Sequence, residues 1–247
     1  MFKNILKGIK AYFGAFGLIS KLKLWKFFVF PIMISIVVAI VIMVTAYTLS
    51  DDFGFYISKL WVWEWGKETF SIISDILSGL IILVLGLMLY KHIVMALSAP
   101  FMSPVSEKIE AHFLGHENLT HRSTSFKAQL WRGIRINVRN LMMELLLTIP
   151  ILLIGFIPLI GIVSTVLLFL VQSYYAGFGN MDYTLERHFK YAESLAFVRK
   201  NRGVAIGNGM VFMLFLLIPV IGIILVLPLS VTAASTETVK LLKNQNR

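Results

Sequence analysis

The fold of this chain is decided by two stretches without a charged side chain, LLLTIPILLIGFIPLIGIVSTVLLFLVQSYYAGFGNM at residues 145–181 and GVAIGNGMVFMLFLLIPVIGIILVLPLSVTAAST at residues 203–236. A helix needs about 20 apolar residues to cross a bilayer, so two full crossings and a turn need more than about 40. Neither stretch is that long, and each contains two prolines, which bend or end helices. The sequence therefore predicts two proline-broken helical hairpins, and it leaves open whether their arms span the membrane or turn back inside it. The predicted turns are marked by Pro150, Pro158, Pro219 and Pro228.

The composition indicates that lipid surrounds much of the chain. Hydrophobic residues make up 57% and charged residues 15%, whereas ordinary soluble domains have about 25% charged residues. We therefore expect an all-α integral membrane protein with a single membrane domain over residues 1–247. The 23 Lys and Arg outweigh the 13 Asp and Glu, but they lie between the apolar runs, where membrane topology requires them. The lipid bilayer is thus the expected partner, and nucleic acid is not expected.

Residues 1–20 are predicted to form an amphipathic helix in the membrane interface. The lysines lie on other faces than the apolar side chains, so the apolar face can enter the lipid while the lysines meet anionic headgroups. Gly17 permits a break before the first span. The apolar face consists of Phe2, Ile5, Ile9, Tyr12 or Phe13, and Phe16.

Segment lengths and charges predict the remaining topology. The first span covers residues 21–50 and the second covers residues 70–90, joined by a weakly acidic, Trp-rich loop at residues 51–68 that suits the outer face. A cytoplasmic helical region follows at residues 91–144, then the first hairpin at 145–181 and the second at 203–236. Every segment placed inside is net positive. We therefore expect a multi-pass protein of a bacterial inner membrane with both termini in the cytoplasm.

A short internal repeat links the two hairpins. Ile-Pro-Leu-Ile-Gly-Ile at residues 157–162 is echoed by Ile-Pro-Val-Ile-Gly-Ile at residues 218–223. Paired hydrophobic segments interrupted by Pro and Gly point to the permeation region of a transporter. The alternative is that two bent hairpins need similar turns.

Several stretches outside the apolar runs are similar to the CysZ-type sulfate permease family, whose wider relatives include the etoposide-induced protein of eukaryotes. Ser-Ala-Pro-Phe at residues 98–101, followed by Glu-Lys-Ile-Glu at 107–110, resembles the family's Ala-Pro-Phe turn and the acidic helix after it. Asp-Tyr-Thr-Leu at 182–185, with Arg187, resembles a connector that usually reads Asp-Tyr-Pro-Leu. Arg-Lys-Asn-Arg-Gly at 199–203 resembles the closing basic turn before the final hairpin. The resemblance covers nearly the whole chain in order and spacing, and it implies sulfate transport.

The resemblance also implies an anion site just before the first span. The family has Gly-Leu-Arg-Arg where this chain has Lys23, Leu24, Trp25 and Lys26. Arginine grips a tetrahedral oxyanion through a planar fork, whereas lysine offers a point charge. The lysines still stand at the start of a helix, where the dipole and free amides favour anions. The candidate anion-binding residues are Lys21, Lys23, Leu24 and Lys26, with contacts to lipid headgroups as the alternative role of the lysines.

Two further basic groups accompany this motif. A second candidate cluster consists of Arg199, Lys200, Arg202 and Gly203. A basic stripe at i, i+3 and i+7 is formed by Arg132, Arg135 and Arg139. The stripe either lines an anion vestibule or anchors its helix at the interface.

Nothing in the sequence favours an enzyme. No cysteine is present, which excludes disulfides and thiol catalysis. His112 and His116 have metal-ligand spacing, with Glu117 and His121 nearby, but Gly115 interrupts the helix that would align them, so no metal site is expected. Asp75 and Glu144 lie at the ends of apolar segments, where snorkelling accounts for them. We therefore expect no catalytic residues, no metal and no cofactor.

These observations favour passive or gradient-driven transport of an inorganic anion such as sulfate, since the sequence carries no nucleotide-binding motif. The alternative is a membrane scaffold or assembly factor that keeps the family fold without conducting, and the altered motif at residues 23–26 favours it. A homo-oligomer is expected, because bent turns inside the membrane leave backbone groups that lipid cannot hydrogen-bond. Gly155, Gly161 and Gly222 would allow close helix contacts between copies.

Overall fold

A computed structural model describes residues 1–59, 65–115, 124–155, 161–218 and 220–245. Within these residues the chain forms helices and no strand. The helices are α1 (Phe2–Lys21), α2 (Trp25–Ser58), α3 (Lys67–Leu114), α4 (Phe126–Gly155), α5 (Gly161–Leu185), α6 (Tyr191–Lys200), α7 (Arg202–Leu216) and α8 (Ile221–Gln245). The all-α class predicted from the sequence is confirmed.

Five of the described helices contain a segment that is long and apolar enough to cross a membrane. These segments are Trp25–Leu49, Ile81–Leu114, Phe126–Gly155, Gly161–Leu185 and Gly222–Gln245. Helix α7 is shorter, with 15 residues. The sequence predicted two long spans, so the number of long helices differs while the class of integral membrane protein is confirmed.

The structure has more long helices than the sequence predicted because two of the prolines lie inside helices and do not end them. Pro150 lies inside α4 and Pro228 inside α8, so the structure corrects the prediction that these two residues mark turns. A proline removes one backbone hydrogen bond, and a long membrane helix continues past it where neighbouring helices support the backbone. Pro158 and Pro219 lie outside the described residues.

Helices α2 and α3 form a long antiparallel pair. Phe30 stacks on Phe101 with ring centroids 5.1 Å apart, and a Cβ on Gly86 would lie 3.1 Å from the Ile42 side chain. With 34 residues in α2 and 48 in α3, the helices are about 51 Å and about 72 Å long. A bilayer core is about 30 Å thick. Helix α3 therefore continues from the second span predicted at residues 70–90 into the region predicted as cytoplasmic.

Helices α5 and α7 pack together backbone to backbone at the centre of the molecule. A Cβ on Gly177 of α5 would overlap the carbonyl oxygen of Ala205 in α7. A Cβ on Gly209 of α7 would likewise overlap the carbonyl oxygen of Ser173 in α5. Small residues allow this close approach in membrane helix bundles, and here they bring together the two hairpins that the sequence predicted.

Helix α1 presents three different faces. One face is buried against α7 and α8 through Gly8, Ala15 and Ile19. The exposed apolar side chains are Phe2, Leu6, Phe13 and Phe16, and the exposed lysines are Lys3, Lys7 and Lys10. A helix in the membrane interface would contact protein, acyl chains and headgroups through three such faces. The interfacial position of α1 stays a prediction. The helix continues through Gly17 to Lys21, so the break that Gly17 would permit does not occur there.

The glycines expected to join copies of the chain lie inside its own hairpins. A Cβ on Gly161 would lie 3.1 Å from the carbonyl oxygen of Gly155, across the first turn. A Cβ on Gly222 would overlap the carbonyl oxygen of Phe215, across the second turn. These glycines therefore serve close contacts within one chain.

Candidate anion site and buried charge networks

The candidate anion site lies in the turn between α1 and α2. The amide of Leu24 donates to the carbonyl oxygen of Ile19 at 2.9 Å, and the amide of Lys23 donates to that of Ser20 at 3.2 Å. This pair of hydrogen bonds is a Schellman motif, in which the residue after the helix C-cap takes a left-handed conformation. Lys23 is that residue, with a φ of 52°. The sulfate permease family has glycine at the matching position, and glycine takes this conformation without steric cost.

Leu24 anchors the turn through packing. Its side chain is fully buried in the same apolar cluster as Ile19 and Phe28, and such a contact commonly accompanies the motif. Its amide is already bonded to Ile19. Leu24 therefore has neither a side-chain group nor a free amide to offer to an anion.

Four lysines gather at this turn, one of them from a distant helix. Lys26 Nζ lies 5.2 Å from the centroid of the Phe27 ring, and Lys108 Nζ from α3 lies 5.7 Å from the same centroid. The lysine cluster consists of the exposed side chains of Lys21, Lys23, Lys26 and Lys108. Within the described part of the chain none of them forms an ion pair. Their charges add to the positive end of the α2 dipole, which favours anions.

Lys108 was missed by the sequence analysis as a site residue. It belongs to the stretch at residues 107–110 that resembles the family's acidic helix, and that resemblance is the signal that could have drawn attention to it. Its approach to Phe27 depends on the antiparallel packing of α2 and α3, which sequence spacing does not show.

The second predicted basic cluster lies at the other end of α1. Gly203 is buried there, and a Cβ on it would lie 2.8 Å from the Asn4 Cβ. The side chains of Arg199, Lys200 and Arg202 are exposed. Because α1 has 20 residues, about 30 Å of helix separates this cluster from the lysine cluster. The structure does not bring the two clusters into one site.

A buried ion network joins α3 and α4. Lys91 Nζ lies 2.6 Å from Glu144 Oε1, and both side chains are 0% exposed. His92 Nε2 lies 2.9 Å from Glu144 Oε2, and His92 Nδ1 lies 3.3 Å from Asn137 Oδ1. The expectation that Glu144 snorkels to the interface is wrong, because both carboxylate oxygens are paired inside the protein. Charges buried in this way are paired by necessity.

A second network ties the end of α3 to the residues after α5. The Glu110 carboxylate lies 3.1 Å from Arg187 Nη2 and 2.7 Å from His188 Nε2. Arg187 Nη1 also donates to Ser106 Oγ at 2.6 Å. Glu110 and Arg187 come from two of the stretches that resemble the sulfate permease family. Those stretches therefore meet in space although they are far apart in sequence.

The basic stripe of α4 does not act as one surface. Arg132 turns inward and donates two hydrogen bonds to the Asp182 carboxylate, at 2.9 and 2.8 Å. Arg139 donates to Asn140 Oδ1 at 3.0 Å. Arg135 is exposed and stacks on Tyr191, with its Cζ 4.0 Å from the ring centroid. The structure therefore assigns Arg132 to an ion pair and leaves Arg135 at the surface.

Among the described residues no group of three or more His, Cys, Asp or Glu side chains could hold a metal ion. His116, Glu117 and His121 lie outside those residues.

Comparisons with known proteins add a family match and several relatives. The family model described as sulfate transporter CysZ/etoposide-induced protein 2.4 matches residues 11–226. Two curated relatives, each named sulfate transporter CysZ, come from Pseudomonas aeruginosa and Pseudomonas paraeruginosa. Each is 27% identical to this chain over 158 residues, which make up 63% of this chain and 64% of the relative. The chain thus spans less than two thirds of the length of these relatives.

Proposed function

The chain belongs to the sulfate transporter CysZ/etoposide-induced protein 2.4 family, and we propose that it conducts an inorganic oxyanion such as sulfate across a bacterial inner membrane. The observation that carries this proposal is the lysine cluster. Four exposed ammonium groups with no ion pair among the described residues stand at the start of a membrane helix. Such a concentration of one charge raises the local concentration of anions.

The chemistry of lysine favours a weak entry site. An ammonium group is a compact, strongly hydrated point charge, so it holds an oxyanion less rigidly than the guanidinium fork does. A conducting path needs sites that attract an ion and also release it. The sequence carries no nucleotide-binding motif, so the driving force is the gradient of the anion or of a coupled ion.

Radiolabelled sulfate uptake into proteoliposomes tests the proposal. The wild-type protein should take up sulfate above empty liposomes. Lys26→Gln and Lys108→Gln should each raise the KM for sulfate several-fold, because each charge contributes roughly 1 kcal/mol near a charged surface. They should also reduce the dependence of uptake on ionic strength. Lys67→Gln is the matched control, since Lys67 is equally exposed and begins α3, about 60 Å along that helix from Lys108.

The second candidate function is a membrane scaffold that keeps the family fold without conducting. Trp25 favours it, because a position that is arginine in the family's anion motif is here an aromatic side chain packed on Phe16, with ring centroids 5.7 Å apart. Uptake no higher than that of empty liposomes, for sulfate and for other oxyanions, would favour the scaffold. Uptake with an unchanged KM in both lysine variants would instead assign the cluster to lipid contact.

A further inference from the structure

Helix α4 carries an exposed, largely apolar stripe that begins at an aromatic residue. Trp131, Val138 and Met142 are all exposed, Trp131 by 67%, and they recur at i, i+7 and i+11 on one side of the helix. Tryptophan is enriched where a membrane helix meets the headgroups. The stripe therefore favours a position of Trp131 at headgroup level with the side chains after it against acyl chains. The membrane would then begin before residue 145, where the sequence predicted the first hairpin, in agreement with the apolar segment Phe126–Gly155. Arg135 lies four residues after Trp131, on the same side of the helix.

A cavity of about 320 Å³ opens beside this point, between the start of α4 and the segment that joins α5 to α6. Its lining includes Trp131, Arg135, Glu186, Lys190 and Tyr191. Two cations lie at its rim. Within the described part of the chain neither Arg135 nor Lys190 forms an ion pair.

The geometry of Arg135 leaves its donors available. The guanidinium face is stacked on Tyr191, and its N–H groups make no hydrogen bond with any described residue. A guanidinium held in this way presents a planar fork that matches a phosphate group. Arg132, by contrast, is occupied by Asp182, the Phe189 carbonyl oxygen and Ser194.

We propose that this cavity binds the phosphate headgroup of an anionic phospholipid, whose acyl chains lie along the Val138 and Met142 stripe of α4. The position at headgroup level selects a lipid over a free ion, because the acyl chains would contact the exposed stripe directly below the cations. Tyr191 lies beside the cations and supplies a second amphipathic ring at the same level. This inference is independent of whether the protein conducts sulfate.

The floor of the cavity makes headgroup binding sensitive to pH. Glu186 is 3% exposed, and its Oε1 has no hydrogen-bond partner among the described residues. Burial raises the pKa of Glu186 to about 7, with a hydrogen bond from Ser103 lowering it and the charge of Asp182 raising it further. Arg187 and Arg132 also face the carboxyl group and lower its pKa. Below that pH the floor is neutral, and above it the carboxylate repels a phosphate.

Native mass spectrometry of the purified full chain, titrated with phosphatidylglycerol, tests this site. Wild-type protein should retain this lipid with higher affinity than zwitterionic phosphatidylcholine. The double variant Arg135→Gln/Lys190→Gln should bind phosphatidylglycerol at least about tenfold more weakly, because two phosphate contacts are lost. Lys59→Gln/Lys67→Gln removes two exposed lysines at the end of α2 and the start of α3, outside the cavity, and should leave the affinity unchanged.

Glu186→Gln supplies an independent readout. The wild-type affinity for phosphatidylglycerol should fall between pH 6 and pH 8, at about the pKa of Glu186, whereas the variant should bind equally well at both pH values. Equal lipid retention by the wild type and the Arg135→Gln/Lys190→Gln variant would overturn the proposal. Displacement of the lipid by millimolar sulfate or inorganic phosphate would also overturn it, since the cavity would then be a site for a free oxyanion.

Discussion

Lys23 is the residue at which backbone geometry and charge conflict. A side chain in the left-handed conformation costs about 1–2 kcal/mol, and Lys23 adopts this conformation with a φ of 52°. We expect Lys23→Gly to raise the thermal stability of the detergent-solubilised protein, because glycine removes that cost. Lys10→Gly is the control with the opposite sign, since Lys10 is exposed in the middle of α1 and glycine there should cost about 0.5–1 kcal/mol. A loss of stability in both variants would show that the turn carries no strain at Lys23.

The pairing of Lys91 with Glu144 gives a second prediction for single residues. Lys91→Met leaves a carboxylate buried without its cation, and breaking a buried pair costs about 3–5 kcal/mol. Replacing both partners with apolar residues, as in Lys91→Met/Glu144→Leu, should cost less than this single change. Thermal unfolding of the single and double variants measures the difference. If the destabilisation of the double variant equals the sum of those of Lys91→Met and Glu144→Leu, the two residues are not coupled.

At the scale of the helix pair, contact between α5 and α7 depends on residues without a Cβ. Gly209→Leu would drive a side chain into the backbone of α5 at Ser173, and overpacking of this kind costs about 1–3 kcal/mol or more. We expect aggregation or an early-eluting species in size-exclusion chromatography. Gly14→Leu is the matched control, because no atom of the described residues outside its own helix turn lies within 4 Å of a Cβ at that position. Normal elution of Gly209→Leu would mean that α5 and α7 are further apart than described.

The short α7 predicts that the tip of the second hairpin does not reach the outer face of the membrane. Helix α7 has 15 residues, about 22 Å of helix, against a hydrocarbon core of about 30 Å. Because the chain has no cysteine, Leu217→Cys introduces a single thiol at the tip. We expect it to resist an impermeant maleimide added outside intact cells, while Trp65→Cys, in the loop predicted outside, is labelled. Rapid labelling of the tip would show that the hairpin crosses fully.

The sequence predicts the class of these elements better than their ends. Apolar runs identify the membrane helices because each helix needs a continuous apolar segment. The same runs do not show that α2 continues to Ser58 or α3 to Leu114, because packing between the two helices supports residues that a lone helix would leave to a loop. The turns predicted at Pro150 and Pro228 are wrong for a similar reason, because neighbouring helices support the helical backbone past these prolines.

At the scale of the whole molecule, sequence reasoning found the parts of the candidate site that are local. Lys21, Lys23 and Lys26 stand close together in the chain, so spacing is sufficient to group them. Lys108 reaches the same turn only through packing of α3 on α2. The ion pair between Lys91 and Glu144 likewise joins different helices, and a single sequence does not tell which opposite charges meet.

The last prediction is that the protein assembles into a homo-oligomer in the bilayer. Side chains at the second hairpin tip, such as Leu217 and Val220, are exposed, and lipid can cover them but cannot hydrogen-bond a bent backbone, at several kcal/mol for each unsatisfied group. The amides of Ile218 and Gly222 already bond within this turn, and the glycines at the turns contact their own chain, so we expect neighbouring copies to cover the exposed apolar side chains through other residues. The lysine cluster is also exposed, and a path that begins there gains walls from adjacent subunits. Native mass spectrometry from nanodiscs should show dimers or larger species, and a strictly monomeric protein that still transports sulfate would contradict both the assembly and the shared path.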